Sequence, residues 1–237
     1  MRARYRKTYA GFVWVVINPL LMYGAQGLVF KYFLKINMEN YMLFLLGGLL
    51  PWTFITSSLN SGTSLFQSQS RILKSFDVNP FVLVCSQILD NAINFIAAFF
   101  LILIPLMISG GARTPGLFLL PISLIVLVLG TIAMTSICAI LQVFYRDTRF
   151  VIPFLTSILF FLTPIFYPRE FVPDNFQWAV DWNPVYILIQ VFRSVVYDYS
   201  FYTFLTQLLV SSGLTLVLLV GTYFYWKRKR NEFYLFL

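Results

Sequence analysis

LFLLPISLIVLVLGTIAMTSICAILQVF, residues 117–144, decides the fold. No Asp, Glu, Lys or Arg interrupts it. A bilayer core of about 30 Å is crossed by roughly 20 such residues in one helix, at about 1.5 Å per residue. A helix this apolar all round has no polar face to turn to water, so the stretch reads as a membrane span. Working outward, the same test finds spans at 10–34, 41–65, 80–108, 149–167 and 202–226. Six transmembrane helices are therefore expected in one all-α membrane domain covering residues 1–237. Composition agrees: 59% of the chain is hydrophobic and 11% charged, against roughly 45–50% and about 25% in a soluble domain. No signal peptide is expected, because the first nine residues are basic and the next apolar run is too long for one.

Orientation follows from Lys and Arg placement. With the N-terminus inside, the inner segments hold Arg2, Arg4, Arg6, Lys7, Arg71, Lys74, Arg146, Arg149 and Lys227 to Arg230. The outer segments hold Lys31, Lys35, Arg113, Arg169 and Arg193, offset by Glu39, Glu170, Asp174, Asp181 and Asp198. The whole excess of the +8 net charge thus falls on the inner side, and both termini are expected in the cytoplasm. Residues 168–200 contain Val185 to Tyr197, an apolar run too short to span. They are expected to form a re-entrant or interfacial hairpin on the outer face, bounded by Pro168, Pro173 and Pro184.

The chain has no His, which excludes Ser-His-Asp and Cys-His nucleophilic sites, HExxH zinc sites and His proton relays. Cys85 and Cys138 lie inside apolar runs without CxxC spacing and read as packed thiols. No GxxxxGK[ST] phosphate loop is present. No catalytic residue, cofactor or metal is expected in this chain, nor a nucleic-acid partner; if transport uses ATP, the motor is another protein.

Several segments carry more than hydropathy. Residues 1–9, with Arg2, Arg4, Arg6 and Lys7 among Tyr5 and Tyr9, suit a basic amphipathic helix in the inner interface. The inner half of the second span, Thr56 to Ser64, is rich in small hydroxylated residues. It fits tight helix contact or the wall of a cavity open to the cytoplasm. The inner loop 66–79 includes Gln69, Ser70, Arg71, Ile72, Leu73, Lys74, Phe76 and Asp77. Ser70 can cap a short amphipathic helix with Ile72, Leu73 and Phe76 on one side, suited to docking in a groove; a solvated loop is the other reading. In the third span Gln87, Asp90, Asn91 and Asn94 share a stripe, as a transport path or a packed polar cluster does. The inner loop Tyr145-Arg146-Asp147 offers Asp147 as N-cap for the fifth span. Its outer end, Phe160 to Pro168, is dense in rings, as in an interfacial belt or a pore wall that stacks on sugars. Trp52, Phe154, Phe161 and Tyr167, with Asp90 and Asn94, are the candidates for a substrate path.

The order of motifs adds a resemblance across essentially the whole chain. These are Arg2 to Lys7, Trp14 and Asn18-Pro19, Gly47-Gly48 with Pro51-Trp52, Tyr145-Arg146-Asp147, Thr163 to Pro168, and Asn183-Pro184 followed by Arg193. Together they resemble the membrane permease subunit of ABC exporters of the polysaccharide-export type, the group that moves O-antigen, capsular polysaccharide and teichoic acid. The resemblance implies a homodimer of six-span permeases in the inner membrane, bound to two ATP-binding subunits that hold the ATP and Mg²⁺. It implies a coupling helix at about Ser68 to Asp77, a second motor contact at the N-terminal helix with Arg4 and Arg6, and short exit helices within Arg169 to Tyr197. It also implies a path along the dimer interface, lined partly by aromatics, for a lipid-linked polysaccharide. Family members usually carry more residues before the Arg-rich segment than this sequence does. Export of a small amphiphile by the same permease type, or an integral-membrane glycosyl- or acyltransferase, are the alternatives. The second needs clustered acids or His, and Glu170, Asp174 and Asp181 are the only acidic cluster.

Overall fold

The computed structural model describes residues 38–76, 78–105 and 115–237, together with Leu21, Ala25 and Val29. The interface helix at 1–9, nearly all of the first span and Asp77 lie outside the described residues, and with them Arg4 and Arg6. Among the described residues every regular element is helical.

Helix α1, Tyr41–Thr63, is the second predicted span. Two short helices, α2 (Leu65–Ser68) and α3 (Ser70–Ser75), follow it. Helix α4, Pro80–Ala98, runs on into a π-helical turn at Phe99–Leu103. Asn79 caps α4 by accepting the Phe81 amide at 3.0 Å, and Pro80 fills the first-turn position where no amide partner is needed. A 3₁₀ turn at Pro115–Leu119 leads into α5, Leu120–Phe144. Helix α6 is Thr148–Leu162, α7 is Asp174–Asp181, α8 is Pro184–Val196 and α9 is Phe201–Phe236. Between α8 and α9 the chain turns at Asp198, whose φ is 48°; Asp is among the few side chains that tolerate this left-handed backbone.

Four helices among these are long and apolar enough to cross a membrane: Tyr41–Thr63, Pro80–Leu101, Gly116–Phe144 and Phe201–Phe236. The fifth predicted span is shorter than expected. Helix α6 has 15 residues, about 22 Å against a hydrocarbon core of about 30 Å. It stops because Thr163 precedes Pro164, and a residue before proline is driven out of the helical region; Thr163 has ψ 129°.

The most apolar run in the sequence takes the centre. Helix α5 packs on α1, α4, α6, α8 and α9. Small residues set the approach distances. A Cβ built on Gly62 of α1 lies 2.0 Å from Thr135 Cγ2 of α5, and one on Gly130 of α5 lies 2.5 Å from Leu188 of α8. Helix α8, too short to span, is not a surface element: Leu188, Ile189, Val191, Phe192, Val195 and Val196 are all buried, and it wedges between α1, α5 and α9. The hydroxyl-rich half of α1 is divided: Ser58 and Thr63 are buried, while Ser57, Asn60 and Ser64 are exposed. Asn91 of α4 donates to Ser58 Oγ at 3.1 Å and Ser61 Oγ at 3.3 Å, joining the two helices as polar groups do in an apolar medium.

Two capping expectations are corrected. Ser70 lies inside α3, and the residue before it, Gln69, makes no side-chain cap bond. The chain passes from α2 to α3 with so slight a break that the Gln69 carbonyl already takes the amides of Ile72 and Leu73. Asp147 precedes α6 but also makes no side-chain cap bond, because its backbone is helical (φ −72°, ψ −17°) instead of extended. The hydroxyl that closes this turn is that of Thr148, donating to the Tyr145 carbonyl at 2.7 Å.

Candidate functional site at the two ends of the bundle

The segments carrying the inner-loop candidates meet at one end. Phe66 of α2 contacts Phe233 of α9 edge-on at 5.3 Å, and Phe81 of α4 contacts Trp226 of α9 at 5.3 Å. Phe144 at the end of α5 packs on Phe236 at 5.5 Å. Gln142 of α5 donates to Gln67 of α2 at 3.4 Å. These contacts gather Arg71, Lys74, Arg146, Arg149 and Lys227 to Arg230 at a single face. Among the described residues only Asp147 and Glu232 oppose them there, and Glu232 bridges Lys229 at 2.7 Å. The basic segments within the described residues therefore share one end of the fold.

Helix α3 is anchored on one side and open on the other. Leu73 is 3% exposed and faces the bundle, as does the buried Phe66 of the preceding helix. Phe76 is 66% exposed, Ile72 is also exposed, and so are Arg71 and Lys74. The apolar trio expected on one side is thus divided: Leu73 holds the segment down, while Ile72 and Phe76 are presented. Gln69 and Ser70 are half-buried at the junction. Tyr145, Arg146 and Asp147 are exposed.

The opposite end is built around a strap, Thr163 to Pro168, that follows α6. Leaving the helix frees backbone carbonyls, which must find donors when buried. Arg193 of α8, 4% exposed, supplies two: Nη1 donates to the Pro164 carbonyl at 2.8 Å and Nη2 to the Ile165 carbonyl at 2.9 Å. Its guanidinium also lies 4.2 Å from the Phe44 ring centroid, a favourable cation–ring contact. Tyr41 donates its hydroxyl to the Phe166 carbonyl at 2.8 Å. Asn183 donates to Thr163 Oγ1 at 2.8 Å while its Oδ1 caps α8 by accepting the amides of Val185 and Tyr186. Gly48 makes room for this: a Cβ there lies 1.9 Å from Arg193 Nη2 and 3.1 Å from the Ile165 carbonyl. Outside the strap, Arg169 makes a two-point bridge to Asp181 at 2.7 and 2.6 Å. This holds the Asp181 carboxyl below, and the Arg169 guanidinium above, their ordinary ranges.

Rings accompany the strap. Trp52 packs on Phe160 at 5.8 Å, Phe160 on Phe161 at 5.3 Å and on Phe166 at 5.8 Å, and Phe166 on Tyr167 at 4.9 Å. Tyr167 donates to the Phe161 carbonyl at 3.0 Å. Of the path candidates, the fold brings Trp52, Phe161 and Tyr167 into one ring cluster, with Trp52 buried, Tyr167 half-buried and Phe161 exposed. Phe154 is exposed two turns earlier on the Phe161 face of α6. Asp90, exposed, and Asn94, half-buried, lie on α4 and are not among the ring contacts. A cavity of about 290 Å³ opens beside the strap, lined by Leu159, Leu162, Tyr167, Val172, Phe176 and Pro184.

Sequence reasoning quoted Gly47-Gly48, Asn183 and Arg193 as motif members without seeing that they close on the strap. Tyr41 was missed, with no signal beyond its place at the span's edge. Phe66 and Phe233 were also missed; the signal for Phe233 was the ring-rich Phe233-Tyr234-Leu235-Phe236 after a basic stretch that otherwise ends the span.

The described residues thus form an all-helical bundle with one strongly basic end, a buried strap at the other, and four helices long and apolar enough to cross a membrane. Residues 1–197 match the family described as ABC-2 type transporter, and the chain belongs to that family. It is similar to the O-antigen export system permease protein RfbA of Myxococcus xanthus, 27% identical over 98% of this chain and 90% of that protein. A protein of the same name from Klebsiella pneumoniae is 27% identical over 82% of this chain and 76% of its own length. The polysialic acid transport protein KpsM of Escherichia coli is 21% identical over 83% of this chain and 77% of its own.

Proposed function

We propose that this chain is the membrane-spanning subunit of an ATP-driven exporter that moves a lipid-linked, O-antigen-like polysaccharide across the inner membrane. Relatives named for O-antigen export and polysialic acid transport support the cargo class. The single observation that carries the mechanism is helix α3, held to the bundle by Leu73 and presenting Ile72, Phe76, Arg71 and Lys74 at the basic end. An exposed apolar pair rimmed by charge is a docking feature. In this reading it is the coupling helix, seated on a separate ATP-binding subunit, of which two copies serve a permease homodimer. Both termini are cytoplasmic, and residues 1–9, with Arg4 and Arg6, form the second motor contact.

The remaining spans follow from that topology. The stretch 10–34 supplies a first crossing, and α6 with its strap supplies a fifth, giving six. Helices α7 and α8 form the outer hairpin, re-entrant because α8 is buried among the spans instead of lying on them. No residue of this chain makes or breaks a covalent bond. Motor closure pushes α3, and the bundle alternates between two arrangements. The glycan passes the exposed rings of Phe154 and Phe161 and the half-buried ring of Tyr167, whose apolar faces meet sugar C–H faces without a strong polar grip; Trp52 backs Phe161 through Phe160. Co-purification of the tagged chain with an ATP-hydrolysing subunit, followed by export assays of Ile72→Asp and Phe76→Asp, tests the proposal. Loss of the motor and of export is expected from both variants.

A further inference from the structure

Helix α9 continues past its apolar span, through Lys227 to Arg230, to Phe236. Its 36 residues extend about 54 Å, roughly 24 Å more than a bilayer core. A merely solvated basic extension has no use for rings, yet Phe233 is 0% exposed. Its ring meets Phe66 at 5.3 Å and Trp226 at 4.9 Å, both edge-on. Trp226 and Phe233 are two turns apart on one face, and Trp226 also meets Phe81 in the first turn of α4. Three residues further, Phe236 packs on Phe144, over whose ring Lys229 Nζ lies at 5.2 Å. The extension therefore touches the helix just ahead of α3, the start of α4 and the end of α5.

We infer that Phe233 is a positioning residue for energy coupling. It clasps the coupling segment to the last span, so that force on α3 reaches α9 as well as α1. The inference rests on reading α3 as the motor contact. A close-packed ring pair transmits displacement because it has no slack to absorb it. The route through Phe66–Phe233 is short, and α9 packs along both α5 and α8, the latter carrying Arg193. One contact at the basic end thus leads through a single helix to the element that holds the outer strap.

The test uses the full-length chain assembled with its ATP-binding subunit in phospholipid vesicles. ATP hydrolysis, polysaccharide translocation and hydrogen exchange over residues 65–76 are measured together. Phe233→Ala is expected to keep hydrolysis within about twofold, lower export per ATP at least about fivefold, and speed exchange over 65–76. Export per ATP is independent of how much protein folds, so a purely structural role leaves it unchanged. Phe76→Asp is run alongside. If Phe76→Asp abolishes export while Phe233→Ala exports at the normal ratio with normal exchange, the clasp is overturned and the coupling reading stands. If Phe76→Asp exports normally, the coupling reading itself fails. Where Phe233→Ala does not assemble, Phe233→Leu decides by the same ratio: a drop of about twofold or more with faster exchange supports the clasp, and an unchanged ratio overturns it.

Discussion

Arg193 and Gly48 occupy one another's space: the guanidinium reaches the Pro164 and Ile165 carbonyls through the volume where a Cβ on Gly48 would sit, 1.9 Å from Nη2. The two residues are expected to behave as one unit. Gly48→Ala displaces the guanidinium and leaves two buried carbonyls without donors, each costing about 1–3 kcal/mol. Arg193→Ala has the same consequence. Thermal unfolding in detergent is expected to give the double variant little more destabilisation than Arg193→Ala alone. Additive losses contradict the pairing. Arg193→Lys is intermediate, since one ammonium does not reproduce the fork that meets both carbonyls.

Asn183 serves two masters, the α8 amides and Thr163 Oγ1. Asn183→Ala is expected to cost about 1–2 kcal/mol through lost capping, and to raise hydrogen exchange at the start of α8. Asn183→Asp keeps the cap but loses the donor to Thr163, so it should fall between the two. Exchange at Val185 and Tyr186 unchanged in Asn183→Ala contradicts the assignment.

Glycines on the spans are expected to sort by what faces them. Gly62→Ala places a Cβ 2.0 Å from Thr135 Cγ2 and is expected to cost about 1–3 kcal/mol by overpacking α1 on α5. Gly213 and Gly221 of α9 have nothing within 4 Å. Gly213→Ala and Gly221→Ala are expected to be neutral or stabilising by up to about 1 kcal/mol, from helix propensity and the lower entropy of the unfolded chain. Melting temperatures of the three variants check the order.

The Arg169–Asp181 bridge is exposed, and solvent screening limits it to about 1 kcal/mol or less. Its sign is fixed by the depressed Asp181 carboxyl. The contribution is present above the ordinary carboxylate value of 3.8 and is lost as pH falls through the still lower folded value. Between about pH 5 and pH 8 the bridge gives no pH dependence, and Asp181→Asn should shift the melting temperature by only a few degrees or less. A large Asp181→Asn effect at pH 7 contradicts this account of the bridge.

What the sequence made legible was whatever repeats along one helix. Residues 117–144 read as a span because every turn of that helix is apolar, and the basic segments at 71–74, 146–149 and 227–230 could be grouped because charge sidedness is a property of whole loops. Pairings across the fold were not legible. Nothing near Gly48 announces a guanidinium contributed by a residue far along the chain, and nothing in Phe66 announces Phe233. The early end of α6 was written in Thr163-Pro164, but hydropathy continued through it and outweighed the backbone signal. Ser70 and Asp147 failed as caps for a local reason: both lie where the backbone is already helical. The run Val185 to Tyr197 read as too short to span, and its helix ends at Val196, yet its burial depended on tertiary neighbours that its own composition does not specify.

If a motor protein holds α3, it also touches Phe76, the extended residue that follows the helix. A photoreactive phenylalanine analogue at position 76, introduced into the full-length chain in native membranes, tests this contact most directly, because Phe76 is 66% exposed and needs no rearrangement to reach a partner. A covalent adduct with a protein that binds ATP is expected, formed in far lower yield when the same analogue replaces Val217, exposed in the apolar span of α9. An analogue at 76 that labels only lipid, in a preparation that still exports polysaccharide, contradicts it.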